Sequence, residues 1–262
     1  MDGPNRMKIA QITDLHLRYH LPGTSAVRNR QSRFMSGLLA QSLEYLRQEQ
    51  INLVVLSGDL VDAPDDESVD PAKLPALVLR EYQHFKEILE TSGLPYHCMP
   101  GNHDDLGLFF TVFGRQPEFE IKDHFFCTFY DHQHEGIPIF RENEQWQQFE
   151  KVIAQPGPRN QIHLQHYLIR PEYNDGWPHT YANAGEISTL LEKSQRVLLT
   201  LSGHYHKGAN LSCEGVRYHT AKSFCDPPCH FYVIEIREGK VQIVERDMAV
   251  TAQPIPLESP AG

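Results

Sequence analysis

The spacing of apolar residues along the chain predicts alternating strands and helices. Short apolar runs that are typical of buried strands cover residues 8–13, 51–57, 95–100, 161–165 and 197–202. Between the first two runs, apolar residues recur near helical spacing from about residue 32 to residue 50. A strand, a helix and a second strand in this order imply parallel strands, because parallel neighbours need a long crossover. The pattern therefore predicts an α/β fold.

The rest of the chain extends this α/β pattern. Further helices are expected from about residues 72–75 to 90, from 143 to 153 with Asn143 as the cap, and from 183–184 to 193. Further β-rich runs cover residues 121–130, 217–222, 230–237 and 240–246. Because no linker or internal repeat divides the chain, we expect one domain over residues 1–262, with a core at about 7–246 and tails at 1–6 and 251–262.

Short polar segments follow the predicted strands at the points where the strands end. They are Asp14-Leu15-His16, Gly58-Asp59, Gly101-Asn102-His103-Asp104, His166 and Gly203-His204-Tyr205-His206. Each segment alone is weak evidence, since Gly-Asp and Gly-Asn pairs are usually turns and a lone histidine is usually structural. Their conjunction, with one segment after each strand, predicts a metal site where the strands end.

The residue types in these segments suit a hydrolase with two metal ions. Two cations about 3.5–4 Å apart neutralise the charge of a phosphate ester and lower the pKa of a bridging water. Imidazole and carboxylate ligands together suit Mn, Fe, Zn or Co better than Mg alone. Asp14 and His16 are two residues apart, so in extended backbone they point to one side, and His204 and His206 repeat this spacing. Asp59 follows the most apolar strand and is the natural carboxylate to bridge both cations.

Composition and charge exclude several other classes of protein. The net charge is −10 and the 24 Lys and Arg residues are dispersed, so we expect no long nucleic acid as a partner. The apolar runs are far shorter than the ~20 residues of a membrane helix, so we expect no membrane partner. The N-terminus lacks the basic start and apolar core of a signal peptide, which favours a cytoplasmic location. An anionic small molecule could still bind where cations reverse the local charge.

The five cysteines are scattered, which favours reduced thiols over a disulfide framework. Cys225, Cys229 and His230 lie close enough in sequence to suggest a zinc site. A fourth ligand is missing and two prolines lie between the cysteines, so we do not predict zinc there.

The order of the polar segments resembles the five sequence blocks of the calcineurin-like metallophosphoesterase superfamily, and the match spans residues 8–206. The resemblance implies a four-layer α/β/β/α sandwich of two mixed sheets, with a dinuclear site at the carboxyl ends of the strands. That position agrees with the general rule for ligand sites in open α/β sheets.

The resemblance also implies a role for each matching residue. One metal ion would be held by Asp14, His16, Asp59 and His206, and the other by Asp59, Asn102, His166 and His204. The ions would be Mn and/or Fe, with Zn, Co or Mg possible, and the nucleophile would be a hydroxide that bridges them. His103 would stand beside the phosphate, stabilising charge or protonating the leaving oxygen, with Asp104 orienting its ring. Asp62 stands where purple acid phosphatases carry a tyrosine, and we expect it to orient other side chains.

Contacts to the substrate are less clearly marked in the sequence. The candidates are Arg18, His20, His132, His134 and Tyr167. Each could touch a phosphoester, although a surface loop or a structural side chain explains each of them as well. Trp177, Tyr173 and Tyr181 could form an aromatic wall for a nucleobase, or could simply pack their own loop.

The block spacing and modest size resemble the bacterial subgroup that hydrolyses cyclic nucleotides and glycerophosphodiesters. The leading hypothesis is therefore a phosphodiesterase that acts on a small molecule. A phosphomonoesterase or a nucleoside-diphosphate-linked pyrophosphatase would use the same metals and stays open. A non-catalytic scaffold is disfavoured, because all seven expected ligands and His103 are present. The oligomeric state is open, and a homo-oligomer is possible.

Overall fold

The structure of the protein, a computed structural model, describes residues 6–64, 69–133, 138–174 and 176–248. The first half contains β1 (Arg6–Ile12), a short 3₁₀ helix (Ser32–Phe34), α1 (Met35–Gln48), β2 (Leu53–Ser57), α2 (Leu74–Ser92), β3 (Tyr96–Met99) and α3 (Leu106–Phe113). The second half contains β4 (Glu118–Ile121), β5 (His124–Thr128), α4 (Asn143–Ile153), β6 (Gln161–Leu164), α5 (Ala184–Ser194), β7 (Val197–Ser202), β8 (Ala209–Cys213), β9 (Val216–Thr220), β10 (Phe231–Arg237) and β11 (Lys240–Arg246).

The strands form two mixed sheets. The first sheet has the order β11-β10-β1-β2-β3, in which β1, β2 and β3 are parallel and β10 and β11 are antiparallel additions. The second sheet has the order β4-β5-β6-β7-β9-β8, in which β5, β6, β7 and β9 are parallel. Because parallel strands end at the same edge, the carboxyl ends of β1–β3 and of β6–β7 are available for one shared site.

Side-chain alternation along β2 shows how the sheets are layered. Val54 and Leu56 pack in one apolar cluster with residues of α1 and α2, whereas Leu53 and Val55 pack in a second cluster with Phe126, Ile162 and Leu199 of the other sheet. Successive side chains of a strand point to opposite faces, so a strand buried on both faces is apolar throughout. The second cluster therefore lies between the two sheets.

A third apolar cluster joins the second sheet to its own helices. Phe149 and Val152 of α4 and Ile187 and Leu191 of α5 are fully buried or nearly so, and they pack in this cluster with Val197 of β7. The three clusters separate four layers, in the order helices, sheet, sheet, helices. The α/β/β/α sandwich predicted from the sequence is confirmed.

Several boundaries differ from those expected from the sequence. Arg6 begins β1 instead of ending a tail, and most of both predicted tails lies outside the described residues. The run at 121–130 is the second half of a hairpin, because Lys122 has φ of 53° and turns the chain between β4 and β5. Asn143 is the first helical residue of α4, and Glu142 occupies its cap position without a side-chain capping bond. Strand β8 was not predicted, because its exposed alternate residues leave too weak an apolar pattern.

No helix within the described ranges is long and apolar enough to cross a membrane.

Candidate metal centre and active site

The seven predicted metal ligands all follow strand ends, and the two sheets supply them jointly. Loops after β1, β2 and β3 carry Asp14, His16, Asp59 and Asn102, and loops after β6 and β7 carry His166, His204 and His206. Backbone hydrogen bonds join these loops, including Asp14 N to Gly58 O at 3.0 Å and Gly203 N to His166 O at 2.9 Å. The loops therefore form one continuous surface across both sheets.

The backbone at four of these positions is in the left-handed region. The φ angles are 52° at Asp14, 46° at His16, 54° at Asp59 and 66° at His204. Residues other than glycine rarely adopt this conformation, and such positions are concentrated at functional sites, where each costs about 1 kcal/mol or more. These four backbone conformations therefore lower the stability of the fold, and they set the directions of the four side chains.

One group of potential ligands is formed by Asp14, His16 and His206. Their ligand atoms lie within 4.8 Å of one another. His206 Nε2 is 3.6 Å from Asp14 Oδ1. Asp14 and His16 are fully buried, whereas His206 is partly exposed.

A second group is formed by Asp59, His166 and His204, whose ligand atoms also lie within 4.8 Å of one another. Asn102 adjoins this group, with its Oδ1 atom 3.1 Å from His166 Nε2. The main-chain N–H of His204 donates to both carboxylate oxygens of Asp14, at 3.2 and 3.1 Å. This bond links the second group to the first.

Asp59 lies between the two groups and presents one oxygen to each. Its Oδ2 atom is 3.5 Å from His16 Nε2, and its Oδ1 atom is 3.5 Å from His166 Nε2. The main-chain N–H of His103 donates to Oδ1 at 2.9 Å, which holds the carboxylate in this orientation. The placement fits a carboxylate shared by two cations.

Buried polar atoms in the site fit bound cations. His16 and His204 are both buried. Within the described part of the chain, three of their ring nitrogens lack a hydrogen-bond partner: Nδ1 and Nε2 of His16, and Nε2 of His204. An unpaired buried polar atom costs about 1–3 kcal/mol, and a metal bond would remove that cost. Neutral imidazoles with carboxylate and amide oxygens are also the donor set that Mn, Fe, Zn and Co accept.

The carboxylates give the site a strong preference for positive charge. Burial disfavours a charged His166 ring, yet Asp59 and Asp14 together raise the pKa of His166 to about 9. Burial likewise disfavours a charged Asp59, but the neighbouring imidazoles His166 and His103 hold its pKa well below the usual range. Two bound cations would neutralise the negative charge of these carboxylates more completely than protons on the histidines can.

Glycines before the ligands allow the loops to approach closely. Gly58 has φ of 100°, and a Cβ atom there would collide with Nδ1 of His166 and lie 2.9 Å from the Gly101 backbone. A Cβ atom on Gly101 would collide in turn with Asp59 and lie 2.7 Å from His166 Cε1. No larger residue fits at either position without moving a predicted ligand.

Asp104 has a different environment from the one that the family resemblance implies. Its carboxylate accepts hydrogen bonds from Gly101 N at 2.8 Å, Leu60 N at 3.2 Å and the Tyr82 hydroxyl at 3.0 Å. These bonds fasten the loops after β2 and β3 to each other. Asp104 therefore positions the backbone that carries Asp59 and His103, and the expectation that it orients the His103 ring stays a prediction.

A pocket of about 420 Å³ opens above the two ligand groups. Its lining residues in the described part of the chain are Val27, Arg30, Asp59, Asn102, His103, Trp177, His179, His204, Tyr205, His206 and Lys207. His103 is only partly buried, and its ring meets the His16 ring edge-on at 4.8 Å between centroids. The pocket thus combines predicted ligands, a partly exposed imidazole and two basic side chains.

Arg30, and not Arg18, is the arginine that lines this pocket. Arg18 is 4% exposed, with its Nη2 atom 2.7 Å from Asp62 Oδ2 and its Nη1 atom donating to two loop carbonyls. Arg30 Nη1 is 3.2 Å from the other oxygen of Asp62. Asp62 therefore holds both guanidinium groups in place, which is the kind of orienting role predicted for it. Arg18 directs its guanidinium group to Asp62 and to carbonyls of its own loop.

The other predicted substrate contacts that the structure describes, His20, His132 and Tyr167, are not among the residues that line the pocket. His20 packs against Tyr19 and His84 beside α2. Tyr167 is 1% exposed, and its ring lies under His166 and His204 at 5.2 and 4.9 Å between centroids. His132 is exposed but does not line the pocket, and His134 lies outside the described residues.

The Cys225–His230 segment also differs from a zinc site. His230 Nδ1 is 2.8 Å from a carboxylate oxygen of Glu245, whereas the potential ligands grouped with Cys225 are His206 and Asp226. Burial raises the pKa of the Cys225 and Cys229 thiols, so both stay protonated at neutral pH. The neighbouring Asp226 was missed in the sequence, yet it contacts Nδ1 of His206 at 2.7 Å.

Sequence comparisons relate the chain to proteins of known family. The family model of calcineurin-like phosphoesterases matches residues 7–208. The 3',5'-cyclic adenosine monophosphate phosphodiesterase CpdA of Escherichia coli is 29% identical over 250 residues, covering 89% of this chain and 82% of that protein. A probable cyclic nucleotide phosphodiesterase of Psychrobacter arcticus is 33% identical over 104 residues, covering 38% of this chain and 32% of that protein.

Solved structures share the fold. A dimetal phosphatase from Danio rerio superimposes with a TM-score of 0.72 at 15% identity, covering 92% of this chain and 96% of that chain. At such low identity the similarity concerns the fold alone, whereas the family match covers most of the sequence. The chain therefore belongs to the calcineurin-like phosphoesterase family and is a metal-dependent phosphoester hydrolase.

Proposed function

We propose that this enzyme hydrolyses small phosphodiesters, with 3',5'-cyclic nucleotides as the leading substrates. The observation that carries the proposal is the convergence of two groups of ligand atoms on either side of Asp59, beneath a pocket of small-molecule size. The relative from Escherichia coli that extends over 89% of the chain is named a cyclic AMP phosphodiesterase, which supports this choice of substrate.

The two groups of ligand atoms would hold two cations, and Mn or Fe is our proposal for their identity. Asp14, His16 and His206 would bind the first, Asn102, His166 and His204 the second, and Asp59 both. When bound, the cations would neutralise the phosphate oxygens and lower the pKa of a water. His166 is prepared for this role because its Nδ1 atom donates to Ser57 O at 2.8 Å, which leaves the Nε2 lone pair for a ligand bond.

In the hydrolysis, a water oxygen would add to phosphorus while one phosphorus–oxygen ester bond breaks. The leaving alkoxide needs a proton, and we assign its donation to His103, a partly exposed imidazole of the pocket whose ring meets that of His16 and which lies outside both ligand groups proposed above. Arg30 and Lys207 also line the pocket and would attract the anionic substrate. The products of a cyclic nucleotide would be a nucleoside monophosphate with a free hydroxyl.

A rate comparison on purified protein with added Mn²⁺ tests this proposal. The substrates are 3',5'-cyclic AMP, bis(p-nitrophenyl) phosphate, a glycerophosphodiester, p-nitrophenyl phosphate and ADP-ribose. We expect kcat/KM to be highest for the diesters, lost with EDTA and restored by Mn²⁺. A preference for the monoester or for ADP-ribose would overturn the diester assignment. The cytoplasmic location and the absence of a long nucleic acid partner stay predictions from the sequence.

A further inference from the structure

Exposed apolar side chains are concentrated at the mouth of the active-site pocket. Among the described residues, the large apolar side chains with high exposure are Val27 at 48%, Phe140 at 43%, Tyr173 at 37% and Trp177 at 50%. Val27 and Trp177 both line the pocket. Tyr173 stacks on Tyr205, another lining residue, with ring centroids 4.8 Å apart and planes inclined by 19°. Exposed apolar surface beside a polar site marks a place where a ligand with an apolar part binds.

Ring contacts connect this apolar surface to the proposed metal ligands. The His179 ring lies 5.0 Å from the Tyr205 ring and 5.1 Å from the His204 ring, between centroids. His179 therefore sits between Tyr205 and a predicted ligand. A ligand whose phosphate lies at the ligand groups would bring the rest of its structure against Tyr205 and Trp177.

The loop that carries Trp177 is held at both ends. Thr180 Oγ1 accepts a hydrogen bond from Tyr173 N at 2.9 Å and donates to Tyr173 O at 3.1 Å. The main-chain N–H of His179 donates to Trp177 O at 2.9 Å, and the N–H of Leu168 donates to His179 O at 3.2 Å. Because these bonds hold the backbone at Tyr173 and at residues 177–180, the exposed Trp177 ring has a hydrogen-bonded support, which lowers the entropy cost of binding a planar group.

We propose that Trp177, together with Val27 and Tyr205, binds the nucleobase of the substrate and determines a preference for nucleotides over non-aromatic phosphodiesters. The inference rests on the proposed function, since it assumes that the phosphate binds at the ligand groups. Aromatic side chains stack on any base, so the surface selects for a planar aromatic group and not for one base. Tyr181, which the sequence grouped with Trp177, is 2% exposed and donates to Asp131 at 2.6 Å, so it is not part of this surface.

The test compares Trp177→Ala with a matched control, Phe140→Ala, which removes another exposed aromatic ring outside the pocket lining. The readout is the ratio of kcat/KM for cyclic AMP to kcat/KM for a glycerophosphodiester. We expect Trp177→Ala to lower this ratio by about 5-fold to 150-fold, the range that stacking of one base provides, and Phe140→Ala to leave it unchanged. An unchanged ratio in Trp177→Ala would overturn the inference.

A binding measurement separates failure of this inference from failure of the proposed function. The chain has two tryptophans, so Trp146→Phe leaves Trp177 as the sole tryptophan emitter. With Mn²⁺ present, we expect AMP to change the Trp177 emission saturably and glycerol 3-phosphate, which has no base, to leave it unchanged. If cyclic AMP is hydrolysed but AMP gives no change, the base surface is wrong while the function stands. If AMP binds in this way but no diester is hydrolysed, the proposed function is wrong while the base surface stands.

Discussion

His206 donates a hydrogen bond from Nδ1 to the Asp226 carboxylate at 2.7 Å, while its Nε2 atom lies 3.6 Å from Asp14 Oδ1. An ionised carboxylate only accepts hydrogen bonds, so this contact keeps the proton on Nδ1 and the lone pair on Nε2. Burial of Asp226 favours its neutral form, but the bond to His206 lowers its pKa and keeps it ionised. Carboxylates in this position fix the orientation of metal-binding imidazoles and increase their basicity.

Asp226→Asn should therefore weaken metal binding without removing a ligand. We expect the affinity for the Mn²⁺ that His206 would bind to fall about 10-fold to 100-fold. This is the usual effect of removing a carboxylate that orients a metal-binding histidine. Titration with Mn²⁺ followed by electron paramagnetic resonance measures the affinity. Asp123→Asn is the matched control, because Asp123 is exposed and lies outside the pocket lining. Equal affinities in the two variants would contradict the role of Asp226.

Asp59→Asn tests the shared carboxylate. The change keeps the size of the side chain but removes the charge that both ligand groups face, so we expect bound Mn²⁺ to fall from about two ions per chain to below one. Elemental analysis after gel filtration measures the stoichiometry. Two tightly bound ions in Asp59→Asn would show that Asp59 does not bridge them.

His103→Ala should separate chemistry from metal binding. We expect kcat for the preferred diester to fall about 10²-fold to 10⁴-fold, the contribution typical of a general acid, with metal content unchanged. His124→Ala is the control, since His124 lies outside the pocket lining. If metal content falls in parallel with kcat, His103 acts as a ligand and not as the proton donor.

Arg30→Ala should weaken substrate binding. Hydrogen bonds to charged groups contribute about 1.5–3 kcal/mol, so we expect KM for bis(p-nitrophenyl) phosphate to rise at least about 10-fold with a smaller change in kcat. Arg28→Ala removes an exposed arginine of the same loop that does not line the pocket, and it should leave KM unaltered. The same rise in both variants would indicate a general loss of positive charge instead of a contact from Arg30.

Buried histidines should make the protein less stable in mild acid. Burial lowers the pKa of His97 to about 4 and that of His163 and His219 to about 3, whereas an unfolded histidine titrates near 6.5. As the pH falls below about 6.5, the unfolded chain binds protons before the folded chain does. The free energy of unfolding therefore decreases with falling pH until the pH reaches the pKa of the folded state. Each histidine contributes a slope of up to about 1.4 kcal/mol per pH unit in this range.

His163→Leu isolates one of these contributions. We expect the loss of unfolding free energy between pH 7.5 and 5.5, measured by urea denaturation, to be smaller in the variant by about 1.4 kcal/mol. Val152→Ala is the control. It removes buried apolar volume from the cluster between the second sheet and its helices, and it removes no titrating group. The prediction fails if His163→Leu and Val152→Ala have the same pH dependence.

The fold class and the seven candidate ligands could be predicted because both follow from local patterns. The apolar run Leu53–Leu56 in β2 indicates a strand buried on two faces, and Asp59 follows the strand after Gly58. Asp14 and His16 are separated by one residue, which any reader of the sequence can see. In contrast, Arg18 and Arg30 are the same residue type and both contact Asp62, and only the lining of the pocket shows that Arg30 faces it and Arg18 does not.

Asp226 and Asp104 both show that the sequence does not reveal which groups a side chain contacts. Asp226 precedes two prolines and reads as a turn residue, yet the fold brings it to His206, 20 positions earlier in the chain. The family resemblance implied that Asp104 orients the ring of the adjacent His103, whereas the structure shows the Asp104 carboxylate accepting a hydrogen bond from Leu60 N, 44 positions away. Short spacing says which residues are neighbours along the chain, but it does not say in which direction a side chain points.

The family resemblance implied the four-layer arrangement, and the sequence by itself determined the α/β class, the order of the polar segments and the chemistry of their side chains. These features depend on periodicity and residue type, which are properties of short stretches. Only the tertiary structure decided which oxygen of Asp59 faces which histidine, which arginine reaches the pocket and which aromatic ring stays exposed at its mouth. Those outcomes depend on the packing of two sheets against each other, and packing is set by contacts between residues far apart in the chain.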